Sequence, residues 1–135
     1  MPNIGCLLGS AYQQQLSRLA TALTDEGLDI LPSEYLVLRG LYTKDGMQQC
    51  DVASLLGKDK AGVSRCIRTM ERKGLVSVKT ISHKCRRIWL TDKSREIEPL
   101  IMKIAGARHD ALLNLASSED IETFVRVLKL ILNQK

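Results

Sequence analysis

A mainly helical chain carrying one small β-hairpin is the fold class that three observations predict. Apolar residues recur at helical spacing over most of the length. Residues 75–91 alone switch to alternation, in two short runs separated by a polar, basic break. Gly27, Gly57 and Gly74 each fall where a helical pattern stops.

A chain of 135 residues can bury its own core, and residues 1–135 are expected to form one domain. Hydrophobic residues at 44% and charged residues at 26% are globular values and argue against disorder. No run approaches the roughly 18 apolar residues of a membrane span, so no membrane partner is expected. The start, MPNIGCLLGSAYQQQ, lacks a charged leader, and a cytoplasmic location is expected. Cys6, Cys50, Cys66 and Cys85 show no metal-ligand spacing and should be free thiols, with Cys85 the most exposed. No metal or cofactor is expected.

The first helix spans residues 4 to about 27, with Ile4, Leu7, Leu8, Leu16, Leu19 and Leu23 on its apolar face. The second covers Asp29 to Tyr42, with Pro32 in its first turn and Tyr35, Leu36, Leu38 and Leu41 inward. Lys44-Asp45-Gly46 makes a turn. A short third helix is expected from Met47 to Leu56, burying Val52, Leu55 and Leu56. Asp59 then caps a fourth helix ending at Lys73, whose stripe is Val63, Cys66, Ile67 and Met70. Two helices joined by so tight a turn form a helix-turn-helix unit. Strands at 75–80 and 86–91 flank a loop, Ile81 to Cys85, so residues 30–91 read as a winged helix-turn-helix core. A long helix from Asp92 to about Leu115 and a last one from Ile121 to Asn133 close the chain. Residues 1–28 and 92–135 are thus three apolar-faced helices in need of cover. Packing against a second copy supplies it, with an intramolecular bundle as the alternative. A two-fold dimer would also space two recognition helices by roughly 34 Å, one turn of B-DNA.

Charge is concentrated in this core. Gly57 to Thr91 carries ten basic residues and two acidic ones, a local +8 in a chain of net +5. That is the footprint of a nucleic-acid binder, double-stranded DNA if the helix-turn-helix reading holds, although acidic proteins and membranes also attract such patches. On the fourth helix the candidates are Lys58, Lys60, Gly62, Ser64 and Arg65, then Arg68, Thr69 and Arg72 one turn on. Arginine suits guanine O6 and N7, and serine suits a base edge or a phosphate. Gly62 would let the helix N-terminus approach a phosphate closely. In the hairpin the candidates are His83, Lys84, Arg86 and Arg87.

The run MQQCDVASLLGKDKAGVSRCIRTMERKGLV resembles the MarR family of bacterial winged-helix regulators. The matching positions are Gln49, Asp51, Val52-Ala53, Asp59, Val63-Ser64-Arg65, Ile67 and Met70 through Val76. Leu31 to Tyr35 resembles the start of the family's second helix, and Trp89-Leu90-Thr91 its strand-to-helix junction, with Ser94 where glycine is usual. The resemblance implies a homodimer on palindromic operator DNA, a repressor released by a small-molecule effector bound between the dimerisation helices and the winged-helix core. Release would be a shift toward a dimer with mismatched half-site spacing. The wing departs from the pattern: Ser82-His83-Lys84 stands where the family carries Asp-x-Arg, and the hairpin is about two residues shorter. Either Lys84 makes the wing contact, or Arg86 and Arg87 do so from a shifted register.

Cys6 resembles the sensing cysteine of the family's peroxide-responsive subgroup, in which tyrosines activate the thiol. Tyr12, Tyr35 and Tyr42 are available, but no cation neighbours Cys6 in sequence. A small apolar residue at a dimer seam is the plainer alternative. A winged-helix module that binds protein instead of DNA is a further alternative. With His83 and His109 the only histidines, and no zinc-protease, phosphate-loop or Cys/His pattern, no catalytic residue is assigned and no enzyme is expected.

Overall fold

In the computed structural model the described residues, 1–134, form six helices and three strands. The order is α1 (Ile4–Asp25), α2 (Pro32–Thr43), β1 (Met47–Gln48), α3 (Gln49–Leu56), α4 (Lys60–Arg72), β2 (Val76–Ser82), β3 (Cys85–Leu90), α5 (Asp92–Leu113) and α6 (Ser118–Leu132). The strands make one antiparallel sheet in the order β1-β3-β2. Around it, α2, α3 and α4 bury Val37, Leu38, Leu41, Val52, Val63, Ile67 and Met70 against Val76, Ile88 and Leu90. Leu19 and Leu23 of α1 and Ile101 of α5 join the same core. This is a winged helix-turn-helix. Among the described residues no helix is long and apolar enough to cross a membrane.

The helix-turn-helix angle is fixed by two local devices. Gly57 ends α3 at φ 61°, a left-handed conformation that a Cβ would strain. Two residues later the Asp59 carboxylate accepts the Gly62 amide at 2.8 Å and starts α4.

Several expectations need correction. The second helix begins at Pro32, not Asp29, because Pro32 takes the first helical position and the Glu34 carboxylate accepts the Leu31 amide at 2.9 Å. Met47-Gln48 is not helix but a strand pairing with Ile88 and Arg87 of β3. Two residues are too few for a period to register. The strand β2 runs on to Ser82, which pairs with Cys85, so the wing turn is only His83-Lys84, with an irregularity between Thr80 and Ser82. Leu55, expected inside, is 44% exposed.

The three remaining helices do not form an intramolecular bundle. The helices α1 and α5 pack together, whereas α6 touches the rest of the protomer only marginally and buries no residue. Ile4 and Leu7 of α1, Leu112 and Leu113 of α5, and Phe124, Val127, Leu130 and Ile131 of α6 are left open to solvent.

The start of α5 is tied into the core by polar contacts. Thr91 caps it by accepting the Ser94 amide, and donates its own proton to the Gly74 carbonyl at 2.6 Å. Ser94, where glycine was the usual residue, is fully buried and donates to the Leu75 carbonyl. Its own carbonyl accepts the Tyr42 hydroxyl at 2.7 Å. Burial, aided by the Glu98 charge, pushes the Tyr42 phenol from 10.0 up to about 12. The folded state therefore prefers the protonated phenol more than the unfolded chain does. That contribution is complete below pH 10 and is lost as pH rises toward 12. Melting temperature followed across this range should fall in the wild type and fall less in Tyr42→Phe. At neutral pH the same variant should lose about 1 kcal/mol with the hydrogen bond.

Candidate nucleic-acid interface

The helix α4 is amphipathic because its inward stripe is apolar and its outward face is polar and mainly cationic, with Glu71 its one exposed acid. Val63, Ile67 and Met70 are buried, and Cys66 is half-buried with its thiol 3.9 Å from the Ser33 hydroxyl. Burial pushes that thiol up, against the smaller opposing effect of Ser33, so it stays protonated at neutral pH. Outside, Lys58, Lys60, Arg65, Arg68 and Arg72 are all exposed, and Ser64 and Thr69 are partly so. Gly62 has a structural reason. A Cβ there would lie 3.0 Å from the Asp59 carboxylate oxygen and 3.4 Å from the Lys58 Cβ, so the missing side chain accommodates the cap.

The two hydroxyls on this face differ in what they offer. Thr69 donates its proton to the Arg65 carbonyl at 3.0 Å and accepts from the Arg72 guanidinium at 3.5 Å. Ser64 accepts from the Gln49 side-chain amide of α3 at 3.0 Å. Gln49 was not among the expected site residues. Its contact spans 15 positions, and the only sequence signal was its match to the family pattern.

The wing stands beside the helix. Lys60, Ser64, His83, Lys84 and Arg86 converge on one cleft of about 540 Å³, floored by Gln48, Gln49, Cys50 and Ala53. Lys58, Gly62, Arg65 and Thr69 line a shallower hollow of about 390 Å³ on the other flank of α4, with Ser33 and Cys66. Arg87 does not join either group. Its guanidinium donates to the Gly46 carbonyl at 2.8 Å, bracing β3 against the turn before β1. Gly46, at φ 73°, lies under the Trp89 ring, where a Cβ would approach to 2.5 Å. The Lys79 ammonium sits 5.6 Å from the same ring's centroid.

Of the thiols, Cys6 and Cys50 are exposed and Cys85 is only partly so, the reverse of the sequence expectation. Cys85 is sheltered because it pairs with Ser82 at the end of the ladder instead of lying in a loop. Cys6 sits in the first turn of α1, where Asn3 caps its backbone amide at 2.9 Å. Tyr35 is buried in the winged-helix core and the Tyr42 hydroxyl is committed to Ser94, which leaves Tyr12 as the exposed phenol. His109 is exposed on α5. Among the described residues no group of three or more His, Cys, Asp or Glu could hold a metal.

Comparison with known proteins places this arrangement. The MarR family model matches residues 30–82. The transcriptional regulator HosA of Escherichia coli O157:H7 is 26% identical over 128 residues, covering 93% of this chain and 92% of HosA. Among solved structures, the S. aureus MepR–DNA complex superposes with a TM-score of 0.87 at 22% identity, over 98% of this chain and 97% of that one. BpsR of Bordetella bronchiseptica, whose DNA binding is regulated by 6-hydroxynicotinic acid, superposes with a TM-score of 0.84 at 18% identity, over 98% and 95%. The structural likenesses establish the fold over nearly the whole length. The family pattern falls on the helix-turn-helix and β2 of that fold, and over residues 30–82 the chain is similar to the MarR family.

Proposed function

We propose that the protein is a sequence-specific, DNA-binding transcriptional regulator that acts as a cytoplasmic homodimer on palindromic operator DNA, as a repressor released by a small ligand. The observation that carries this reading is the convergence of exposed cations from α4 and the wing on one surface, with no acid among the residues lining the main cleft. Such a surface matches phosphates on both sides of a groove occupied by α4. Relatives support it: MepR was solved on DNA, and BpsR responds to a small molecule. On this reading the recognition helix uses Lys58, Lys60, Ser64, Arg65, Arg68, Thr69 and Arg72, and the wing uses His83, Lys84 and Arg86. Gly62 serves the helix start and Arg87 the wing's posture. Residues 1–28 and 92–135 supply the dimerisation helices around the core at 30–91. For the peroxide-sensing alternative, Tyr35 is buried in the core and the Tyr42 hydroxyl is committed to the Ser94 carbonyl, which leaves Tyr12 as the phenol available to Cys6.

Salt dependence tests the proposal. Log K for operator DNA should fall with log[salt] at roughly −0.9 per phosphate neutralised. Arg65→Ala should weaken operator binding by about 1–3 kcal/mol and relax base preference at the position it reads. Binding indifferent to salt, or no duplex retained at low salt, would instead favour a protein-binding module.

A further inference from the structure

The Gln49–Ser64 contact carries a consequence for how this surface reads a base, resting on the DNA-binding reading above. Ser64 lies on α4 and lines the cleft between that helix and the wing. A serine hydroxyl has one proton to donate and lone pairs to accept with, so alone it can face either kind of base edge. Here one lone pair is occupied, because the Gln49 Nε2 donates to the Ser64 Oγ at 3.0 Å. Among the hydrogen bonds of the described residues, the Ser64 hydroxyl donates to nothing, whereas Thr69 donates back to its own helix. The proton of Ser64 is thus the one left free to point into the cleft.

The amide's orientation has a physical basis. The Gln49 Oε1 is buried without a partner. Turning the amide over would place an NH₂ group in that same closed position, burying unpartnered donors in place of one carbonyl oxygen. The observed orientation is the less costly of the two.

We propose that Gln49 is a positioning residue for base recognition: by donating to Ser64 it occupies one of that oxygen's two lone pairs and biases the hydroxyl toward outward donation, favouring bases that present acceptors in the major groove. Guanine offers O6 and N7, thymine O4, and adenine N7 beside its N6 amino group, whereas cytosine presents only its N4 amino group. A contact of this size discriminates by roughly fivefold.

The proposal makes the polarity of recognition reversible. In Gln49→Glu the carboxylate can only accept, so Ser64 must donate to it and turn a lone pair outward. Selection of bound duplexes from a random pool, with the full chain at one low salt concentration, compares wild type, Gln49→Glu, Ser64→Ala and the double variant. At one symmetry-related pair of positions the wild type should favour guanine or thymine over cytosine by roughly fivefold. Gln49→Glu should move that preference toward cytosine or adenine, whose amino groups donate. Ser64→Ala and the double variant should both level it, with circular dichroism unchanged throughout. A Gln49→Glu profile identical to wild type overturns the proposal. So does a uniform loss across all sequences, which would make Ser64 a phosphate contact and Gln49 a packing residue. A wild type that retains no duplex overturns the DNA-binding reading itself, an outcome identified before any variant is compared.

Discussion

Lys73→Met should destabilise the protein by about 3–5 kcal/mol, a large part of the 5–15 kcal/mol that typically holds a domain folded. Lys73 follows α4 and points into the core, where its ammonium meets the Glu34 carboxylate at 2.7 Å. Glu34 is 1% exposed. It also accepts the Leu31 amide, while its second oxygen is buried without a partner. Removing Lys73 therefore leaves a buried carboxylate with one neutral hydrogen bond, and burial of an unpaired charge is among the most costly changes a core can suffer. The second carboxylate near Lys73, Asp29 at 3.5 Å, is 87% exposed and contributes little.

The remedy is as specific as the damage. Glu34→Gln keeps an oxygen for the Leu31 amide and removes the charge, so the double variant Glu34→Gln/Lys73→Met should recover most of the loss. Urea unfolding at fixed protomer concentration measures all three variants. A double variant as unstable as Lys73→Met alone would show that the long side chain's packing, not the charge, is what matters. The pair should also survive high pH. Burial alone would push the Lys73 ammonium down, but the Glu34 and Asp29 carboxylates outweigh it and the net direction is up. A raised folded value means that the stabilisation is complete below the ordinary lysine range and is lost only as pH rises through and beyond it.

This pair also shows where sequence reasoning stops. Lys73 was counted as one more cation in a basic run, yet it is the member of that run directed inward, toward a residue 39 positions away. Arg87 was similarly counted, and it reaches the Gly46 carbonyl across 41 positions. Composition and charge register both as positive. Neither carries a local mark that separates a bracing cation from a free one. The helices were legible because their cause is local: a 3.6-residue period, a cap at Asp59 and a glycine at residue 57 lie within a few positions of one another. The strand β1 was not, because two residues acquire their conformation only by pairing with β3, about 40 positions on. On the candidate interface, the exposed cations of α4 were legible for the same reason as the helix itself, since Val63, Ile67 and Met70 fix which face points out. Gln49 could be matched but not given a task, because its partner is reached only across the helix-turn-helix angle.

The proposed dimer predicts the largest functional effect. The helix α6 has 15 residues and buries none of them within the protomer. A lone helix of that length is marginal in water, so its apolar stripe needs a cover to hold it. Phe124, Val127, Leu128 and Ile131 recur at the i, i+3, i+4, i+7 spacing of one face. Ile4 and Leu7 of α1 and Leu112 and Leu113 of α5 add further exposed apolar surface. An apolar surface of this kind, drawn from both ends of the chain, suits an obligate two-fold interface. Phe124→Asp/Ile131→Asp places two charges where the protomer alone leaves side chains open to water, so a solitary protomer would tolerate them. A dimer would have to bury four charges and should separate. Sedimentation should then report a monomer whose winged-helix core still melts cooperatively. Without the partner to hold a second recognition helix near its half-site, operator affinity should fall by about 10²-fold or more, while weak, salt-sensitive binding to any duplex persists. A wild type that sediments as a monomer, or a double variant that remains dimeric, would place the dimer interface elsewhere or remove it, and the palindromic operator would lose its structural basis with it.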